Sequence, residues 1–275
     1  MEPVHKRYFL AHREQPLPLY MESIGWNGGQ EEVDRPEGYP LYHWLQTVKG
    51  EGRFRFGGAE VQLIPHTGVL LPPGEAHAYL STTPNWQTLY ITFGGPAAAA
   101  VLSSLGLNHA SWYHWDAGSG LESFGMDIVN TAAPERDLSG LDASADLYRF
   151  LTLLKKHGRT GSLPSLSEHV ERISPVLDFM QKNYSRPEIG LEDMAAVLNI
   201  SVRHLNTLFK QSLGVTAYAY LIALRLRKAK ELMTSDTSLP VKETARQVGF
   251  RDASHFVATF RKMEGLTPQQ FRTLY

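Results

Sequence analysis

The chain contains no cysteine, which excludes disulfides, thiolate metal centres and thiol nucleophiles. It has no uninterrupted apolar run approaching the roughly 18 residues of a membrane helix. Its first residues, MEPVHKRYFLAHREQ, place charges where a signal peptide needs an apolar core. These absences give the expectation of a cytoplasmic protein with no membrane partner. No G-x-S-x-G, phosphate-binding loop or dinucleotide fingerprint occurs, so the corresponding hydrolase and nucleotide-dependent chemistries have no support. What is present is a 275-residue chain, 43% hydrophobic and 20% charged, long enough for two ordinary globular domains.

The net charge of −1 conceals an asymmetry. Residues 169–275 hold 15 Lys and Arg against 10 Asp and Glu, whereas residues 1–168 hold 12 against 18. A basic half joined to an acidic half is expected when one approaches phosphates and the other does something else.

Residues 39–93 read as short strands. Arg53-Phe54-Arg55-Phe56 alternates, Gly57-Gly58 turns, and Val61 and Leu63 alternate with Glu60 and Gln62, predicting a hairpin. Turn signals at Gly68, Pro72-Pro73-Gly74 and Pro84-Asn85 divide the rest at the spacing of a sandwich or small barrel. After Trp115 the pattern changes to helices over 121–131 and 141–156, punctuated by Pro134 and Gly140. These helices pack back on the barrel, supply a dimer seam, or do both. Gly158 to Ser167, GRTGSLPSLS, reads as a flexible linker. The predicted organisation is a domain over 1–160 with its barrel at about 20–115 and helices at about 120–157, a linker at 161–168, and a second domain over 169–275.

The second domain contains one small unit twice. Phe209 to Thr216 (FKQSLGVT) and Phe260 to Thr267 (FRKMEGLT) share Phe, a basic residue, Gly and Thr, 51 residues apart. Upstream of the first, Leu191, Met194, Ala195 and Leu198 mark one face of a short helix, Asn199 to Ser201 make a turn, and a second helix buries Leu205, Leu208 and Phe209. That is a helix-turn-helix. Its outward residues are Val202, Arg203, Asn206 and Thr207, with Arg203 and Asn206 the expected base readers. In the second unit, Val241, Ala245 and Val248 face inward, Gly249-Phe250 turn, and the next helix is expected to bury Phe256, Phe260 and Met263. It presents Ala253, Ser254, Val257 and Ala258, with Ser254 able to cap the helix or meet phosphate. Between the units, 217–234 reads as one helix of roughly 26 Å. Its Arg225 and Arg227 are expected to contact DNA phosphates.

Over 173–272 the chain resembles the AraC/XylS family of transcription regulators. The resemblance rests on Leu191, Ala195, Ser201, Leu205, Phe209, Gly214, Tyr220, Arg225 and Ala229, and on the terminal Gly249-Phe250, Asp252, Ser254, Phe256, Phe260, Gly265, Thr267-Pro268 and Phe271-Arg272. Family members carry a longer polar or basic residue where this chain has Ala258, and often a Pro where it has Ala217. The resemblance implies a homodimeric regulator of promoter DNA, more often an activator, with RNA polymerase as a further candidate partner.

Residues 20–95 also resemble the cupin-type effector-binding barrel of sugar-responsive members, through Arg35-Pro36, Gly50-Glu51-Gly52, Pro72-Pro73-Gly74-Glu75, His77, Tyr79, Trp86 and Phe93-Gly94. The implied fold is an all-β cupin-like barrel with appended helices, followed by an all-α domain with two helix-turn-helix units joined by a linker helix. Carried over position by position, the implied sugar-binding residues are Arg35, Tyr79, Thr88 and Tyr90. Strand alternation independently puts Trp86, Thr88, Tyr90 and Thr92 on one face, and His77 with Tyr79 on one face. With His43 as a further candidate, this set suits a polyhydroxylated effector. The N-terminal arm, 1–20, and the helices after 120 are the expected transmitters. No cofactor, metal or catalytic residue is expected, because His43, His66 and His77 with Glu51 or Glu75 lack an enforcing metal-ligand spacing. The competing readings are a metal-dependent cupin enzyme tethered to DNA and a ligand-independent regulator whose barrel serves only dimerisation.

Overall fold

A computed structural model describes residues 5–9, 16–131, 140–162 and 164–274. Of the expected N-terminal arm only 5–9 and 16–20 are therefore described, and Pro134 and Leu163 lie outside the described residues. The chain divides into two compact units, with the boundary between Leu166 and Ser167.

Among the described residues the first unit contains ten strands: β1 (His5–Phe9), β2 (Tyr20–Asn27), β3 (Val33–Arg35), β4 (Tyr42–Lys49), β5 (Gly52–Phe56), β6 (Ala59–Leu63), β7 (Thr67–Leu71), β8 (His77–Ser81), β9 (Gln87–Gly94) and β10 (Ser111–His114). Its helices are α1 (Ala98–Leu105), α2 (Leu121–Thr131) and α3 (Leu141–His157). Two sheets form, ordered β1-β2-β9-β4-β7-β10 and β3-β8-β5-β6. The expected hairpin is β5–β6, with Phe56 opposite Ala59 and both turn glycines at positive φ, 54° and 76°, the backbone that a two-residue hairpin demands.

The period-two alternation of the strands divides two apolar clusters. On β9, Leu89, Ile91 and Phe93 point to a cluster that also takes Trp44 and the helix residues Leu147, Phe150, Leu151 and Leu154. Trp86 and Tyr90 join Leu45, Phe54, Val69 and Tyr79 in a second cluster. The helices thus pack back onto the six-stranded sheet, as expected. Each large side chain fully buried there contributes about 1.5–3 kcal/mol.

The second unit is helical: α4 (Leu166–Asn183), α5 (Leu191–Val197), α6 (Val202–Leu213), α7 (Ala217–Ser235), α8 (Val241–Gln247), α9 (Ala253–Glu264) and α10 (Pro268–Thr273). The start of α4 falls inside the stretch expected as linker. The sequence repeat has a structural meaning. Phe209 and Phe260 are both fully buried. Gly214 and Gly265 end α6 and α9 in the left-handed region, at φ 73° and 79°, where a glycine cap avoids the Cβ penalty. Thr216 and Thr267 then cap α7 and α10, each hydroxyl accepting a backbone N–H at 3.2 Å. Helix α7 serves both repeats: Leu221 and Leu224 enter the core of the first, and Leu226, Ala229 and Met233 that of the second.

Candidate effector pocket and nucleic-acid interface

In the first unit a cavity of about 550 Å³ is bordered by β1, β2, the β2–β3 loop, β3, the β3–β4 loop, β4, β8 and β9, within the range of small-molecule sites. Of the expected residues, Arg35, His43, Tyr79 and Tyr90 line it. The β3–β8 register, with Val33 opposite Tyr79 and Arg35 opposite His77, sets Arg35 beside these rings. His77 is buried, 5.4 Å from the His43 ring and stacked on Phe54 and Tyr79. Its Nδ1–H donates to the Glu75 carbonyl at 2.8 Å, turning Nε2 toward Arg35 Nη1 at 3.5 Å. His77 therefore backs Arg35.

Two expected ligand residues are corrected. Trp86 is buried in the second apolar cluster, its indole N–H donating to Thr47 Oγ1 at 2.9 Å. Gly52 leaves room for that ring, since a Cβ there would approach it to 2.4 Å. Thr88 is fully buried and gives its hydroxyl to Gln30 Oε1 at 2.6 Å. A wholly packed indole and an already bonded hydroxyl have nothing to offer a ligand. The strand alternation was right, but depth along the strand decides which residues reach open space, and alternation carries no depth.

Several lining residues escaped the sequence reading. Arg7 on β1 lies 5.4 Å from the centre of the Tyr90 ring. Gly25, opposite both Arg7 and Tyr90 in the sheet, makes that stack possible, because a Cβ there would reach the Tyr90 ring at 2.5 Å. Gln30 is held by Asn27 and Thr88. Tyr39 donates to Glu22 Oε2 at 2.7 Å, and Thr92 donates to the same oxygen at 2.8 Å. Thr92 was visible as the next same-face residue after Tyr90. Tyr39 and Gln30, in loops, gave no periodic signal.

Burial holds the His43 imidazole well below the usual histidine pKa, helped by the nearby His77 and Arg35, so it is neutral. Burial likewise lowers His77 and raises the Tyr79 and Tyr90 hydroxyls. Tyr39 is pushed up to about 12 by burial and by its bond to Glu22. The wall thus combines uncharged hydrogen-bonding groups, among them the His43 imidazole and the tyrosine hydroxyls, with two guanidiniums and the exposed Glu31 carboxylate. Among the described residues no group of three or more His, Asp or Glu side chains is placed to hold a metal ion.

In the second unit, α5 and α6 form the first helix-turn-helix. Asn199 takes the left-handed conformation at φ 52° in the turn, and Ser201 Oγ caps α6 by accepting from His204 N–H at 3.2 Å. Arg203, His204 and Thr207 are exposed on α6 and Val202 is half-buried. His204 was not anticipated as an outward residue. Asn206 is corrected: half-buried, its Oδ1 accepts from Ala217 N–H at 3.1 Å and so fastens the α6–α7 junction.

Helix α9 presents Ala253, Ser254, Val257 and Ala258 on one shallow hollow with Arg261, Lys262 and Thr267. Its cap is Asp252, which accepts from His255 N–H at 2.9 Å, rather than Ser254. Met263, expected inside, is 57% exposed. On α7, Arg227 is exposed, whereas Arg225 is 4% exposed and donates to the carbonyls of Tyr184 and Arg186, each at 2.8 Å. Arg225 is thus a buried clamp and not a phosphate contact. The expected phosphate contact fails at Arg225 because the basic residues at 225, 227, 228 and 230 cannot all share one helix face.

Residues 19–151 match the family described as AraC-like ligand binding domain, and residues 194–273 match a helix-turn-helix domain. Together they define a two-domain transcription regulator with a ligand-binding and a DNA-binding part. The chain belongs to the AraC/XylS family. It is 26% identical over 249 residues to the arabinose operon regulatory protein of Escherichia coli K12, covering 87% of this chain and 83% of that protein. It is 24% identical over 286 residues to the melibiose operon regulatory protein of the same organism, covering 94% and 91%. Among solved structures, the C-terminal domain of AraT, a response regulator from Geobacillus stearothermophilus, is 33% identical with a TM-score of 0.36, covering 38% of this chain and 85% of that one. The arabinose and melibiose relatives are operon regulators.

Proposed function

We propose that this protein is a one-component transcription activator whose effector is a carbohydrate bound in the 550 Å³ cavity of the first unit. It acts in the cytoplasm as a homodimer, on promoter DNA and with RNA polymerase. The observation that carries the reading is the cavity wall. Tyr79 and Tyr90 offer aromatic surface, while Arg35, His43, Gln30, Tyr39 and Thr92 offer hydrogen-bonding groups from several directions. Aromatic faces take the C–H side of a sugar ring and fixed polar groups sort its hydroxyls. The names of the relatives, regulators of arabinose and melibiose operons, support the same class of effector.

For the ligand to regulate, it must bind one state of the protein better than another. Strand β1 is suited to report occupancy, since it borders the cavity through His5, Arg7 and Phe9. The test is thermal denaturation of the full-length protein against neutral, acidic and amino monosaccharides and disaccharides. Binding to the folded state alone raises apparent stability. A shift with a saccharide that disappears in Tyr79→Ala supports the proposal. Absence of any saccharide shift, or one that persists unchanged in that variant, removes this cavity as the site.

A further inference from the structure

The charges around the cavity are not evenly placed. Arg7 and Arg35 both line it, and neither has a carboxylate within ion-pair distance among the described residues. Arg7 rests against the Phe9 and Tyr90 rings, 5.9 and 5.4 Å from their centres, and Arg35 lies 5.1 Å from the centre of Tyr39. Arg35's polar neighbour is His77 Nε2 at 3.5 Å, a long and weak contact. The rings that the two guanidiniums rest on flank one residue, the His43 ring lying 6.4 Å from Tyr90 and 6.0 Å from Tyr39. A further polar group stands nearby: His43 is 97% buried, it lines the cavity, and its Nδ1 meets no hydrogen-bond partner among the described residues.

The acidic groups are differently engaged. Glu22 already receives two hydroxyl donors on one oxygen, from Tyr39 and Thr92. Glu31, the acidic residue that lines the cavity, is exposed to solvent. Two guanidiniums thus line the cavity without an ion-pair partner among the described residues, and the Tyr39 and Thr92 hydroxyl oxygens, whose protons go to Glu22, are left to accept from ligand hydroxyls.

We infer that the effector is an acidic saccharide, its anionic group held by Arg35 and Arg7 and its hydroxyls by Tyr39 and Thr92. This rests on the carbohydrate reading above and narrows it. Paired with a carboxylate or phosphate, a guanidinium makes short, directional, charge-assisted bonds. A neutral sugar would leave both cations facing uncharged hydroxyls. A carboxylate and a phosphate satisfy the same two guanidiniums, so the chemistry common to them is the anionic group.

The test is titration calorimetry of the full-length protein with matched compounds: galactose, galacturonate, galactosamine and galactose 6-phosphate, and the corresponding glucose series with gluconate. One acid is expected to bind at least tenfold more tightly than its neutral counterpart, and the amino sugar more weakly than either. Which acid binds separates carboxylate from phosphate. Arg7→Gln, on the exposed strand β1, should bring acid and neutral affinities together, and Arg35→Lys should retain part of the preference that Arg35→Gln loses. Thermal denaturation without ligand checks that each variant is folded. A neutral sugar binding as tightly as its acid would overturn the acidic assignment and leave the carbohydrate reading intact. If no saccharide of any charge bound, both would fall.

Discussion

Replacing Arg225 with methionine keeps the aliphatic stem that α7 packs into the core and removes the two N–H groups that reach Tyr184 and Arg186. Each of those bonds has a charged donor and lies in a site where the residue is 4% exposed. Hydrogen bonds to charged groups contribute about 1.5–3 kcal/mol, and carbonyls left buried without a partner cost a similar amount. Because the two carbonyls are close in the chain and can recover part of the loss with water, the expected destabilisation is about 3 kcal/mol. With a urea dependence near 1.5 kcal/mol/M, the unfolding midpoint of the helical unit should fall by about 2 M. The assay is equilibrium urea unfolding of the full-length protein followed by far-ultraviolet circular dichroism, paired with operator affinity measured across salt concentrations. A phosphate contact contributes about one to the salt slope. Arg225→Met should leave that slope unchanged, whereas Arg227→Ala, exposed on the same helix, should leave the urea midpoint unchanged. An unchanged midpoint for Arg225→Met, with a slope reduced by about one, would refute the buried-clamp assignment.

Other expectations follow from the same geometry. Arg203→Ala, at an exposed position on α6, should weaken specific operator binding by about 1–3 kcal/mol and relax sequence preference, while Val257→Ala changes affinity little; competition with scrambled DNA reads both. Gly25→Ala puts a methyl where the Tyr90 ring now lies 2.5 Å away, so it should cost about 1–3 kcal/mol of stability and disrupt the Arg7 stack, visible as lost effector binding in calorimetry. The depressed pKa of His43 has a defined sign. Its contribution to stability is fully present above the unfolded histidine value of about 6.5 and is lost as pH falls below it, because the unfolded chain takes up the proton first. Thermal midpoints of the wild type should therefore decline below about pH 6.5 more steeply than those of His43→Gln.

Much of this architecture was legible in the sequence because it rests on periodicity. The β5–β6 hairpin follows from alternation around Gly57-Gly58, and the repeat of Phe, Gly and Thr marks a buried ring, a helix end and the next helix cap in both units. What periodicity could not supply was position along the third dimension. Trp86 and Tyr90 share a strand face, yet only Tyr90 lines the cavity. Arg225 and Arg227 both read as phosphate contacts, yet residues two apart on a helix differ by about 200° in direction, and Arg225 is buried. Asn206 was placed on the outer side of α6 correctly enough to reach the α6–α7 junction, but its carbonyl oxygen is used there by Ala217. The loop residues Tyr39 and Gln30 enter the site through long-range packing that no local pattern announces.

In the proposed regulator, occupancy of the cavity and grip on DNA are coupled through one chain. The most direct test is operator affinity of the full-length protein, by fluorescence anisotropy, with and without the saccharide that gives the largest thermal shift, in wild type and in Arg35→Gln. A coupling of about 1 kcal/mol or more predicts at least a fivefold change in operator affinity for the wild type, lost in the variant. Identical operator affinity with the cavity occupied and empty would contradict the claim.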